Sequence, residues 1–391
     1  MNTQTTEQPG RVLISGASFA GMTTAIWMRR LGYEVTIVEQ APGLRRGGTP
    51  VDLRRDAMDI FERMDILPAV RAKALPPRTT LIADLDGTPI VTADPDEPDT
   101  VDASDRSIVI DEYEIHRFDD VEVHRDDLLD ILHAEIRDHV EVVFGDSITA
   151  LAETADGVRV SFRNGPERDF AMVLGCDGNH STVRRLWFGP ESDHSHFLHH
   201  YTSVTVVDDM FIQPWTSRIQ NAPGRTLLLN SYATTTDVVF MFHSDDEIPY
   251  DHHDIEQQKQ IIRDKFADAG EPFSGVLDQA LDADNFYFDK LSQNRLPAWG
   301  SGRVALVGDA AYCPSPAAGM GGSVAILGAT ALYDAFVTAG GDMVGAFAEY
   351  ERSFRPTVEK IQSETVEFGL PMISPDTDEE IAARNAQLLA M

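Results

Sequence analysis

Cysteine and lysine are both scarce in this chain of 391 residues. The two cysteines, Cys176 and Cys313, exclude a disulfide framework and fit a reducing interior. The polar start, Met1 to Gly10, lacks the basic flank and apolar run of a signal peptide. No apolar stretch is read as reaching the roughly 18–20 residues that span a bilayer, so a cytoplasmic protein without a membrane partner is expected. Positive charge is outweighed: 32 Lys and Arg face 64 Asp and Glu, a formal net charge of −32. Such a surface repels phosphate backbones and anionic lipid, which argues against nucleic acid as a partner. Acidic runs such as residues 94–99 read as solvated loops. The acidity also raises the hypothesis of adaptation to high salt, where screening relieves self-repulsion.

Length predicts about two domains at roughly 100–200 residues each, and neither internal repeats nor low-complexity tracts interrupt them. Val12–Ile14 reads as a short buried strand, Met22–Leu31 as a helix stopped by Gly32, and Val35–Val38 as a second apolar strand ending at Glu39. Thr79–Asp84 and Pro89–Thr92 flank Asp86-Gly87, a hairpin turn signal. A helix is expected over Arg125–Arg137, with strands near 140–144, 157–162 and 170–175. From Gly189 to Phe286 the texture alternates, with strands at 203–207, 225–230 and 237–242 and a helix at 255–269. A strand at Val304–Val307 and a helix after Gly321 follow, then helical patterns broken at Pro356 and Pro371. The fold class is therefore α/β. It divides into a discontinuous nucleotide-binding domain (1–77, 101–188, 287–365), a β-sheet domain (78–100, 189–286) and a helical tail (366–391).

A diphosphate needs close backbone approach and free N–H donors, which a tight turn running into a helix N-terminus supplies. Gly16-Ala17-Ser18-Phe19-Ala20-Gly21 is such a turn: Gly16 permits the bend and Gly21 lets the helix pack on its strand. Ser18 stands at the middle position, small enough to leave approach open. Glu39, with Gln40 beside it, places a carboxylate where it can accept both hydroxyls of an adenosine ribose. A second motif, Gly175-Cys176-Asp177-Gly178-Asn179-His180-Ser181, follows an apolar strand and leads to Arg184-Arg185. A third runs Gly308-Asp309-Ala310-Ala311, then Pro314, Pro316 and Gly319-Met320-Gly321-Gly322. Here an acid can hold a ribityl hydroxyl, and a second helix start can aim N–H dipoles at charge developing on a ring.

These stretches together resemble the aromatic-hydroxylase family of flavin monooxygenases, the para-hydroxybenzoate hydroxylase-like group. Within it the pattern is nearest the tetracycline-inactivating monooxygenases. Supporting residues are Ile14–Ser18, Gly47–Arg54 and Val123–Leu128. The resemblance implies a Rossmann-like FAD domain, a β-sheet substrate domain and a C-terminal helix. It implies non-covalent FAD, with Glu39 on the adenosine ribose, Arg125 on the flavin linker and Asp309 on the ribityl or diphosphate. Gly319–Gly322 would line the pyrimidine edge, and Asp177-Gly178 would serve both FAD and NAD(P)H. The implied reaction is hydroxylation of an aromatic or polycyclic small molecule, with NAD(P)H as transient reductant and O2 reacting as a flavin C4a-hydroperoxide. Tyr312, where relatives carry histidine, and Met320, where glutamine is frequent, depart from the pattern near the expected ring.

Other residues receive plainer readings. Arg46, with Arg45, either binds cofactor phosphate or balances acidic neighbours, whereas Arg54 follows the family-like stretch and is the better flavin contact. His194, His196, His199 and His200 read as surface or lining residues rather than metal ligands, so no metal is expected. Cys176 and Cys313 read as packing residues. Phe240, Met241 and Phe242 alternate along a strand, with core packing favoured over a pocket wall. No general base is identified. The flavin halogenase signature is missing, and the short tail is read as leaving no thioredoxin-like domain. An oxygen-independent flavin reductase and a non-catalytic flavin-binding protein are the competing classes; a monomer or homodimer is expected.

Overall fold

The computed structural model describes residues 10–94 and 121–390. The N-terminal residues and most of the acidic run at 94–99 therefore lie outside the described residues. A six-stranded sheet has the order 300–301, 304–306, 172–175, 11–15, 34–39, 141–144, parallel except at the 300–301 edge. Its central strands are apolar through their middles, Val12-Leu13-Ile14 and Val173-Leu174 being wholly buried, as parallel strands covered on both faces must be. The helix after the first strand runs Phe19–Arg30, three residues earlier than its apolar pattern suggested. The missing start is the glycine turn itself, whose small residues carry no periodic signal.

A seven-stranded sheet is built from 287–294, 195–207, 236–243, 225–231, 216–222, 79–83 and 89–93 in that order. The predicted hairpin, Thr79–Ala83 with Pro89–Ala93, forms its edge. Strand Tyr287–Asn294, expected in the nucleotide-binding part, pairs with 195–207 in this sheet instead. Alternation sorts its side chains. Tyr201, Leu227, Phe240, Phe242 and Phe288 face helices Ile255–Phe266 and Ser274–Asp282. Val239, Met241 and Leu291 face the other way, against Ala317 and Leu370.

Two expectations fail for identifiable reasons. Pro356 does not break a helix: it lies inside Met343–Glu364. Both Pro356 and Arg352, whose carbonyl loses its partner, are exposed, so water can satisfy the vacant acceptor. Helix Gly321–Thr338 is long and apolar enough by composition to cross a bilayer, contrary to the reading of the apolar runs. Val324, Ile326, Ala329 and Leu332 are buried in the main core with Met22, Trp27 and Phe347, as in a core helix.

Candidate functional site

The register of the parallel strands aligns their C-terminal ends. Ser15 lies beside Val38 and Gly175, and Gly175 beside Leu306. The three predicted motifs therefore leave the sheet at one edge, where ligands bind in open α/β folds. Gly16 has φ 102°, and a Cβ there would stand 2.5 Å from the Cys176 carbonyl oxygen. The turn needs glycine on both grounds. A Cβ on Gly21 would run into the Gly16 carbonyl, so the helix start is pressed against its own turn.

Two helix N-termini converge on this edge. No described residue accepts from the backbone amides of Ser18, Phe19 and Ala20, and Ser18 makes no side-chain cap. The same holds for Gly21, and for Gly321 and Gly322 at the start of helix Gly321–Thr338. Orphan amides of this kind form an anion site. The two starts are locked together. A Cβ on Gly308 would meet Ala20 at 2.9 Å, and one on Gly322 would meet Val51 at 2.5 Å and Phe19 at 3.5 Å. Gly178, Gly319 and Gly321 instead have no heavy atom of the described residues within 4 Å of their Cβ positions and line open space among them.

Glu39 bridges the cleft wall: its carboxylate accepts from Ala17 N–H and Ala41 N–H, both at 2.8 Å. Each oxygen retains a lone pair for a further donor. Gln40 beside it is exposed. Arg125 donates to the carbonyls of Arg45 (2.6 Å) and Gly47 (3.2 Å), with its guanidinium 5.6 Å from the Phe19 ring centroid. It braces the Arg45–Gly48 loop beside the glycine turn. Arg46 is engaged elsewhere, on Asp130 at 2.6 Å near the surface. Arg54 is half-buried at the start of helix Arg55–Arg63, and its side chain has no hydrogen-bond partner among the described residues. Asp309 reaches the cleft only in part, and burial pushes its carboxyl up to about 6. Pro316 is exposed at the turn that leads to Gly319.

Asp177 is occupied differently from its expected role. Its carboxylate accepts from Ser15 Oγ, Ser181 Oγ and the amides of Thr182 (2.9 Å) and Val183 (3.1 Å), capping helix Thr182–Trp187. It holds Gly178 at the cleft rather than offering a free oxygen. Tyr312, expected near a flavin ring, is instead buried in the core. Its hydroxyl meets Tyr350 Oη at 2.8 Å in space left by Gly328, and Trp299 packs 4.6 Å away. Met320 does stand at the cleft, preceding Gly321. Burial raises both cysteine thiols far above their ordinary range, in keeping with packing roles.

A polar cluster beside the second motif carries no signal in the sequence reading. His180 contacts Glu191 (2.9 Å) and Asp289 (3.1 Å), which hold its imidazolium up to about 9 against the opposing cost of burial. Tyr250 and Tyr287 donate to Asp289 as well, and Asn294 links Asn179 to the Asp309 carbonyl. Asn179 and His180 stand in the second motif, but Asp289 and Asn294 come from a strand of the other sheet.

The FAD binding domain family matches residues 10–364. The chain belongs to it. A "Flavin-dependent monooxygenase" of an unknown prokaryotic organism is 32% identical over 379 residues, covering 96% of this chain and 93% of the relative. An uncharacterized Mycobacterium tuberculosis protein is 36% identical over 370 residues, covering 92% and 95%. Among solved structures, that of tetracycline destructase Tet(55) superposes with a TM-score of 0.81 at 30% identity, covering 98% of this chain and 96% of that one. The fold is accordingly that of the para-hydroxybenzoate hydroxylase-like flavoproteins, and FAD is the cofactor. The bare amides, the glycines that admit no Cβ and the glycines that line open space fit a dinucleotide laid along this edge.

Proposed function

We propose that this FAD protein is a monooxygenase that uses NAD(P)H and O2 to hydroxylate an aromatic or polycyclic small molecule. The observation that carries the reading is the double role of the segment 315–322. One end opens a helix with unpartnered amides, while Ala317 packs on Val239, Met241 and Leu291 of the seven-stranded sheet. A ring held at the first would stand beside an apolar sheet face at the second. Bound FAD would take electrons from NAD(P)H and pass one atom of O2 to the substrate, the other leaving as water.

The chain's own residues bind, orient and exclude water. Ser18, Phe19 and Ala20 would donate amides to the diphosphate, with Gly16 and Gly21 keeping the turn tight. Glu39 would accept the ribose hydroxyls on its remaining lone pairs, Asp309 a ribityl hydroxyl, and Arg54 and Arg125 would border the linker. Gly178 and Gly319 would admit the cofactor closely, Gly308 would keep its turn packed on Ala20, and Gly321 and Gly322 would aim amides at the cofactor's electron-rich edge. Val204, Leu228, Val239 and Met241 supply an apolar surface that favours flat carbon frameworks. The cofactor does the oxidation, so the protein chiefly fixes geometry and keeps water out. A cytoplasmic location, a monomeric or homodimeric state and the division into FAD-binding, substrate and tail segments belong to the same proposal.

The test is NAD(P)H oxidation by FAD-loaded protein across a panel of aromatic and polycyclic compounds under 18O2. A compound that stimulates oxidation and acquires one 18O supports the reading. Stimulated oxidation without label indicates a reductase, and no stimulation by any compound indicates a binding protein.

A further inference from the structure

Away from the cofactor edge, three side chains from remote segments converge. His200 and His243 are directly paired across neighbouring strands of the seven-stranded sheet. Asp376 comes from the turn between Leu370–Ile373 and the last helix, Asp378–Leu389. Its Oδ1 lies 3.0 Å from His200 Nε2 and its Oδ2 3.0 Å from His243 Nδ1. The His200 residue is 3% exposed.

The outer ring nitrogens decide what the inner ones carry. His200 Nδ1 is 3.0 Å from the Leu198 carbonyl, an acceptor, so Nδ1 bears the proton and Nε2 a lone pair in the neutral ring. His243 Nε2 is 3.2 Å from an Asp245 carboxylate oxygen, so its Nδ1 is left bare in the same way. With both rings neutral, two imidazole lone pairs and a carboxylate then face one another with no proton among them. None is aligned for a hydrogen bond: among the described residues, His200 Nε2, His243 Nδ1 and Asp376 Oδ1 are all buried without a hydrogen-bond partner. Buried acceptors that meet only acceptors repel, and a cation at their centre removes the conflict.

We propose that His200 Nε2, His243 Nδ1 and the Asp376 carboxylate form a binding site for one divalent transition-metal ion, Zn2+ being the expected occupant. Two imidazoles with one carboxylate suit zinc or its neighbours better than Mg2+ or Ca2+, which take oxygen ligands. Tetrahedral ligands about 2.0–2.1 Å from zinc stand roughly 3.3 Å from one another, close to the 3.0 Å contacts seen. The outer bonds from Leu198 and Asp245 are the orienting contacts that ligating histidines make. His243 and Asp376 keep 29% and 36% of their side-chain surface exposed, which leaves a side open for water as fourth ligand. The backbone bends to present the pair: His199 has φ 57°, and the register shifts between Phe197 and Tyr201. The cluster of His180, His252 and Asp289 differs, because both ring nitrogens of His180 are already hydrogen-bonded to carboxylates, whereas His200 Nε2 and His243 Nδ1 make no aligned hydrogen bond among the described residues. The ion would pin the turn before the last helix to the sheet, a structural role.

The test uses full-length, FAD-loaded protein stripped with chelator and titrated with Zn2+ or Co2+. One Zn2+ per chain is expected, a tetrahedral Co2+ absorption band, and slower proteolytic release of the last helix when Zn2+ is present. Asp376→Asn and His243→Gln, at the more exposed ligands, should each weaken binding by at least about tenfold while far-UV circular dichroism stays native. His252→Gln should leave the titration unchanged. Absence of saturable binding, or equal binding by wild type, Asp376→Asn and His243→Gln, overturns the proposal.

Discussion

Gly321 and Gly322 are adjacent, yet the structure predicts opposite consequences for adding one methyl group to each. At Gly322 the new Cβ would stand 2.5 Å from Val51 Cγ1, well inside contact distance. Val51 belongs to the strand Val51–Leu53 and packs against the main core, so it cannot simply swing away. Overpacking of this kind costs about 1–3 kcal/mol. Gly322→Ala should therefore lower the melting temperature of the flavin-free protein by several degrees. At Gly321 the methyl meets nothing within 4 Å among the described residues, and the residue has helical geometry without positive φ. Gly321→Ala should leave the flavin-free protein as stable as wild type, or more stable by up to about 1 kcal/mol from helix propensity. If FAD lies over that amide, the methyl occupies its place. Losing a close charge-assisted contact is worth about 1.5–3 kcal/mol, or roughly a tenfold to hundredfold rise in Kd. Thermal unfolding without flavin and a flavin-fluorescence titration separate the two effects. Wild-type FAD affinity in Gly321→Ala would refute the placement of the cofactor, and an unchanged melting temperature in Gly322→Ala would refute the packing.

Three further outcomes follow from the same structure. Glu39→Ala strands the Ala17 and Ala41 amides and removes the proposed ribose acceptor, so FAD affinity should fall at least about tenfold, as read by equilibrium dialysis. Glu122 and Asp237 flank Arg78 and Tyr232, and burial raises each carboxyl to about 7. Their raised values favour the folded state when protonated, so this stability should be present in acid and be lost as pH rises through about 7. Glu122→Gln should flatten that decline in urea melts between about pH 5 and 8. With a net charge of −32, self-repulsion should ease as NaCl screens it, raising the melting temperature; equal or greater stability at low salt removes the idea of high-salt adaptation.

Much of the cofactor edge is legible along the chain because it is built from local units. A buried strand, a glycine turn and a helix start occupy consecutive residues, and the acid at Glu39 closes the next strand. What escapes the sequence depends on distant partners. Tyr312 follows the third motif directly, but its ring turns into the core because Gly328 and Tyr350 make room there. Asp177 is a local exception: it is spent on its own helix cap by Ser181 to Val183, only four to six residues on. Strand Thr216–Ala222 is polar in sequence and carries no clear apolar alternation. It is stabilised between 225–231 and 79–83, with Gln220 bonded to the Asp84 carbonyl and Asn221 to Thr226. The four histidines close in sequence do not assemble as a group: His194 bonds the Phe188 carbonyl, His196 is exposed, and His200 meets partners from two other segments. The site in the last strand pairings is thus invisible to spacing rules, which register only neighbours along the chain.

The most direct measurement is a comparison of FAD and FMN binding to flavin-free protein by fluorescence titration. In the proposed placement, the turn at Gly16–Gly21 and the acid at Glu39 would serve the half of the dinucleotide that FMN lacks. Saturation at one FAD per chain, released intact on denaturation, with much weaker uptake of FMN, is the predicted result. Failure to take up FAD, or equal affinity for FMN, would contradict the account.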